Sequence, residues 1–347
     1  MAASLFLGWT GTQSLTATTA PTGKTSQTIQ TVQTDRPIDV VFAGDAMMDG
    51  SVKRAIQRLG ADFPFRNVKK EVSKADLAIV NLETSVTQAS RKDDVQLFNF
   101  KSDPSSLNGI NHAGFDLVSM ANNHVLDYKE KGLFDTFNNL KRHHLNYVGA
   151  GRNEREAYSA STFVRRGKVI KIAAFARFLP SENWFAHGNH PGVAEAYQPQ
   201  RVLNAIARER EGADYLIVFM HWGIEKNNRP EDWQRDLARK MLDAGADAIV
   251  GSHPHVLQGF EFYKGKPIAY SIGNFLFPDY VSNRKADTGL LHLKLRNGKV
   301  KMSFTPYYIR DNQIVKRGPQ YDKKISRYLE TLSYGVRMSG NEVLSKR

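Results

Sequence analysis

Five times along this chain a short apolar run of strand-like composition empties into side chains that ligate metals. The runs are VVFAGD, ending at Asp45; LAIVNLE, at Asn81 and Glu83; LVSMANNH, at Asn122, Asn123 and His124; LIVFMHWG, at His221; and AIVGSHPH, at His253 and His255. Short apolar runs bounded by turn formers read as buried strands. In open α/β sheets, ligands bind at the ends of such strands. Carboxylates, amides and imidazoles gathered along one edge form a donor set suited to Zn, Mn or Fe. Pro254 stiffens the link between His253 and His255, and their H-x-H spacing lets both imidazoles reach one small volume. Alone, the pair reads equally well as two polar loop residues; the four other strand ends argue for a centre.

Composition narrows the chemistry. The 347 residues contain no cysteine, which excludes a disulfide frame, a thiolate site and a thiolate nucleophile. Any ligands are His, Asn, Asp and Glu. With 41% hydrophobic and 24% charged residues the chain reads as globular, and no apolar run reaches the length of a membrane span. The net charge of +13 favours acidic partners such as nucleic acid, anionic lipid, teichoic-type polymers or polyglutamate, although a solvated basic surface has the same composition. No recognition helix or aromatic-basic motif accompanies the charge, so specific nucleic-acid binding is not expected. Neither G-x-S-x-G nor a phosphate-cradling G-x-x-x-x-G-K-[ST] loop occurs.

Three segments are expected. Residues 1–37 open with the apolar stub AASLFLGW and continue as a Thr/Ser/Gln-rich tether whose 10–34 stretch carries only Lys24 as a charge. That arrangement fits a shortened membrane anchor, and a cloning remnant has the same look. Residues 38–315 form the main domain, and 316–347, with eight basic residues against three acidic ones, form a basic helical extension. Strands are predicted at 38–43, 77–80, 117–120, 161–164, 169–175, 215–220, 248–250, 289–295 and 300–308. Ser51 is expected to cap the first helix, and Asn297-Gly298 to turn a hairpin. Asp127 has two readings: the N-cap of the next helix with Glu130 as its N3 partner, or a member of the site. The aperiodic tract 179–197 is expected to be a lid or a substrate-facing insertion. Strand-helix units mixed with hairpins call for an α/β fold with mixed sheets.

Taken in order, FAGDAMM, NLETSVT, ANNHVLDY, YVGAG, HWGIE, GSHPHVLQG and YSIGNFLF make residues 39–277 resemble the poly-gamma-glutamate capsule synthesis proteins of the CapA/PgsA type, relatives of the calcineurin-like metallophosphoesterases. The resemblance implies a four-layer αββα sandwich. It also implies an extracytoplasmic, membrane-anchored location and a part in making or exporting an anionic polymer with membrane-bound synthase or export subunits. Carried over by motif, it makes Asp45, Glu83, Asn123, His221, His253 and His255 the ligands of one or two divalent ions. It makes His124, with Asp127, the acid toward the leaving group, and gives Asn81, Asn122, Trp222 and Glu225 contacts to a polymeric or phosphate-containing substrate. One departure stands out: Met47 occupies the position where the phosphoesterases carry a histidine ligand. The resemblance therefore implies a full site at Glu83, Asn123, His221 and His253 and a weak one at Asp45 and His255, unless Asp49 or Asp127 rebuilds it. It also leaves open a non-catalytic, polymer-binding role.

Overall fold

The computed structural model describes residues 36–346; the stub and tether expected before them lie outside the described residues. Two sheets pack face to face. The first has ten strands and is mixed: Ile38–Ala46 runs parallel to Leu77–Leu82, which continues in parallel through Leu117–Ser119 to Asn146–Val148. On its other side Ile38–Ala46 pairs antiparallel with Asp287–Arg296, which forms a hairpin with Lys299–Arg310. The second sheet has six strands. Its centre, Lys168–Ala176, Tyr215–His221 and Ala248–Ser252, is parallel, and its edges are antiparallel hairpins.

Period-two side-chain alternation explains why these strands read as unbroken apolar runs. In Tyr215–His221, Tyr215, Ile217 and Phe219 face the core between the sheets, while Leu216, Val218 and Met220 face outward. The outward set packs against Val202, Ala205 and Ile206 of helix Pro199–Arg210 and Leu237, Ala238 and Met241 of helix Asp232–Asp243. Between the sheets, the edge of Phe42 meets Phe219 with ring centroids 5.4 Å apart. Helices Gly50–Leu59, Leu107–Ala113 and Lys129–Arg142 bury apolar stripes against the first sheet. The architecture is the four-layer αββα sandwich.

Several local expectations need correction. Asp49, rather than Ser51, caps the first helix, accepting from the Gly50 amide, while Ser51 donates to Asn312. Helix Lys129–Arg142 starts two residues beyond Asp127 and its N-cap is Tyr128, so the Asp127–Glu130 capping box does not form. Tract 179–197 is no free lid: Trp184, Ala186, Val193 and Ala194 are buried, and Gly192–Val193 pairs with Ala150–Gly151. Its lack of period reflects short irregular pieces packed flat. The 316–347 stretch does contain a helix, Pro319–Leu332, but it continues into a hairpin, Val336–Ser339 and Glu342–Ser345, that extends the ten-stranded sheet. That hairpin joins the end of the chain to the main sheet.

Candidate metal centre

The expected ligands meet where the parallel strands of both sheets end. Asp45 is brought in by an irregularity in the first strand, where the register shifts between Ala43 and Asp45. Gly44 makes that possible: a Cβ there would lie 1.9 Å from the Gly273 carbonyl oxygen, which accepts the Asp45 amide at 3.1 Å. His253 and His255 both adopt left-handed backbone, with φ of 100° and 58°, on either side of Pro254. Such conformations are strained for residues with a Cβ and concentrate at functional sites. Here they turn two successive imidazoles toward Asp45, whose carboxylate accepts the His253 amide at 3.1 Å.

Two donor groups result. Glu83, His221 and His253 offer ligand atoms lying within 4.8 Å of one another, and so do Asp45, Glu83 and His255. Asn123 joins the first group through its Oδ1, 2.8 Å from His221 Nε2. Glu83 is common to both. It is wholly buried, yet neither of its oxygens has a hydrogen-bond partner, and His253 Nε2 is equally unpartnered. A buried unsatisfied polar atom costs about 1–3 kcal/mol, so three in one spot call for something to satisfy them. Divalent cations do so with this donor set of carboxylate, imidazole and amide oxygen, and the residues fit them.

The electrostatics point the same way. Burial pushes the Glu83 carboxyl well above its usual range, reinforced by Asp45, Glu225 and Asp127. Burial also raises Asp45, against the pull of His255 and of hydrogen bonds from Asn81, Ser252 and the His253 amide. His221 is held well below the usual imidazole range by burial, then by His253, His255 and His124. His253 is lowered in the same way by burial and by its neighbours His255 and His124. Neutral imidazoles are the form that ligates, and the strained carboxyl gains most from a cation.

Beside the donors, His124 Nδ1 lies 2.8 Å from Asp127 Oδ2, which leaves Nε2 toward Asn123 Nδ2 at 3.2 Å. Asp127 is thus a site residue: its Oδ2 also accepts the Phe100 amide at 2.6 Å, and burial raises its carboxyl while the hydrogen bond from His124 opposes the rise. The Phe100 ring lies against His124, centroids 4.4 Å apart. Phe178 stacks on His253 at 4.2 Å.

The expected substrate contacts fare differently. Asn81 donates to Asp45 at 2.8 Å, and Asn122 donates to Asn81 and to the Leu82 carbonyl; both are buried behind the ligands. The Trp222 indole turns away, donating to the Tyr270 carbonyl across Gly251, where a Cβ would lie 2.4 Å from the indole nitrogen. Only Glu225 lines the pocket over the centre. Asp49 is engaged by the Gly50 and Lys101 amides, and Asp127 by His124, so neither rebuilds the Asp45 group. Met47 points into an apolar cluster of Phe277, Val281, Ala286 and Ile309. Sequence reasoning missed Asn274, whose Oδ1 lies 2.8 Å from His255 Nδ1 and sets that ring. It also missed Gln96 and Phe100, which tie the 88–101 segment to Asn123 and Asp127.

Residues 39–279 match the family model described as bacterial capsule synthesis protein PGA_cap. The chain belongs to that family. It is 35% identical over 281 residues to the PGA biosynthesis protein CapA of Bacillus subtilis (strain 168), covering 80% of this chain and 73% of that protein. It is 33% identical over 282 residues to the capsule biosynthesis protein CapA of Bacillus anthracis, covering 79% and 68%. A probable polyglutamine synthesis accessory protein of Mycobacterium tuberculosis is 29% identical over 214 residues, covering 59% of this chain and 56% of its own length.

Proposed function

We propose that this family member acts on an anionic surface polymer of the poly-gamma-glutamate type, through a site holding one or two divalent cations, as a metal-dependent hydrolase or transferase. The observation that carries the reading is Glu83: a fully buried carboxyl, unpartnered at both oxygens, shared between a His221–His253–Asn123 group and an Asp45–His255 group. When bound, the cation supplies Lewis acidity that activates water and polarises the scissile phosphoryl or carbonyl group. The chain's own residues do the rest. Asp127 accepts from His124 Nδ1 and so fixes the ring with Nε2 toward the pocket, placed to protonate a leaving group. Asn274 orients His255, and Asn81 with the His253 amide orients Asp45. Phe100 and Phe178 cover the rings of His124 and His253 and keep water from those faces.

Work on such a polymer places the protein outside the cytoplasmic membrane, beside the membrane-bound subunits that make or export it. No helix among the described residues is long and apolar enough to cross a membrane.

A second reading rests on Met47. Its side chain fills an apolar cluster, so among the described residues the second group of imidazole and carboxylate ligands is Asp45, Glu83 and His255, and a site with one firm ion suits a subunit that holds polymer without cleaving it. Metal content by mass spectrometry, on protein purified without chelator and on His253→Ala, tests the centre. One or two ions per chain, reduced in the variant, support it; none bound and none taken up on titration refutes it. Metal-dependent turnover of a γ-glutamyl polymer, abolished in His124→Ala while binding persists, separates enzyme from binding subunit.

A further inference from the structure

The pocket that opens onto the centre has a volume of about 330 Å³, near the lower end of ligand pockets, which run to about 1,000 Å³. His124, His255 and Asn274 form its floor, Phe98, Phe100, Phe277, Tyr280 and Val281 its wall, and Lys226, Lys285 and Glu225 its charges. Phe98 and Tyr280 are 64% and 59% exposed. The two lysines are anchored to the metal centre itself. The Lys226 amide donates to the Pro254 carbonyl at 2.8 Å, between the two histidine ligands. The Lys285 carbonyl accepts from Asn274 at 2.9 Å, the residue that orients His255. Lys226 also holds left-handed backbone, with φ of 64°, where glycine would be relaxed. Among the described residues neither ammonium has a hydrogen-bonded carboxylate partner.

We infer that Lys226 and Lys285 are the specificity determinants of this site: they receive successive carboxylates of a γ-linked glutamate segment while its backbone methylenes lie on Phe98 and Tyr280. This deepens the function proposed above and rests on it. The chemistry is selective. A γ-linked chain alternates two methylenes with one carboxylate and so presents an apolar stripe edged with charge, which matches rings flanked by two lysines. Glu225 leaves the rim with one net positive charge, so each lysine counts. The size of the pocket admits a short stretch of polymer, and the remainder runs out over the exposed rings.

The test uses the metal-loaded protein and a short γ-linked oligoglutamate, with binding measured by calorimetry at low and physiological salt. Lys226→Gln and Lys285→Gln should each weaken binding about tenfold at low salt, as expected for one lost charge-assisted contact, with metal content unchanged. Phe98→Ala should weaken it several-fold with little salt dependence. Lys226→Gly supplies a folding control: it relieves the left-handed backbone, so the thermal midpoint should hold or rise while affinity falls. Lysine variants binding within twofold of the parent overturn the inference and leave the proposed activity standing. Lysine-dependent binding without turnover supports the inference and refutes the hydrolase. An unmodified protein that binds orthophosphate but no oligoglutamate overturns both.

Discussion

Replacing Glu83 by glutamine keeps the shape of the side chain and removes its titration. In metal-stripped protein the Glu83 carboxyl ionises well above its ordinary value of 4.5, because it is buried and faces Asp45. The unfolded chain ionises at the ordinary value. A folded-state pKa raised above the unfolded one means the folded protein keeps a proton the unfolded chain has lost. Stability is therefore undiminished below about pH 4.5 and falls as pH rises toward the folded value, by about 1.4 kcal/mol per pH unit. In a chain of this size that slope is worth about 2 °C of midpoint per unit. The difference between parent and Glu83→Gln reports the carboxyl together with the groups that face it, Asp45, His221 and His255. Scanning calorimetry of the stripped proteins from pH 5 to 8 should show the parent falling relative to the variant. Saturating metal should restore the parent, by about 2.7 kcal/mol at a hundredfold excess over Kd, and do far less for the variant, because Glu83 belongs to both donor groups. Parallel pH profiles, or full metal content in Glu83→Gln, would refute the reasoning.

Four further outcomes are expected. Asp45→Asn and His253→Ala each remove a ligand from one group only, so each should lower metal content without abolishing it, measurable by mass spectrometry. Met47→His should add no ion and should lower the midpoint by a few degrees, since it puts an imidazole among Phe277, Val281 and Ile309. Burial alone would lower His292, but hydrogen bonds to Asp39 and Glu71 outweigh it and hold the ring at about 9. That stabilisation, about 2–3 kcal/mol, is complete below pH 6.5 and lost as pH rises through 9, and His292→Gln should flatten midpoint against pH in that window. Phe219→Ala, which empties the contact with Phe42 between the sheets, should cost about 3–5 kcal/mol by denaturant titration.

What could be read before folding was considered follows from how each feature is encoded. Strands buried on both faces print themselves as apolar runs, and the residues ending those runs are the ligands because strand ends converge at a sheet edge. Asn297 and Gly298 turn their hairpin with φ of 51° and 70°, as the dipeptide announced. Asp127 resisted because its spacing to Glu130 is that of a capping box, while the partner that decides its role, the Phe100 amide, comes from a loop 27 residues away. Trp222 sits inside a motif yet points away, since alternation along a strand sends neighbours to opposite faces. Asn274 had a signal: it ends the apolar stretch IAYSIG much as Asn81 ends its own run. The apparent lid misled because irregular backbone packed on the core has no period to read.

The irregular first strand has one more consequence. Asp45 meets the His253 amide across 208 residues of chain, and Gly44 is locked beneath the Gly273 carbonyl. No early fragment contains the centre, and such distant pairings close late in folding. The donor set of Asp45, Glu83, His221, His253 and His255 is therefore complete only once both ends of that long separation are in place, so the centre reports the closure of the whole domain.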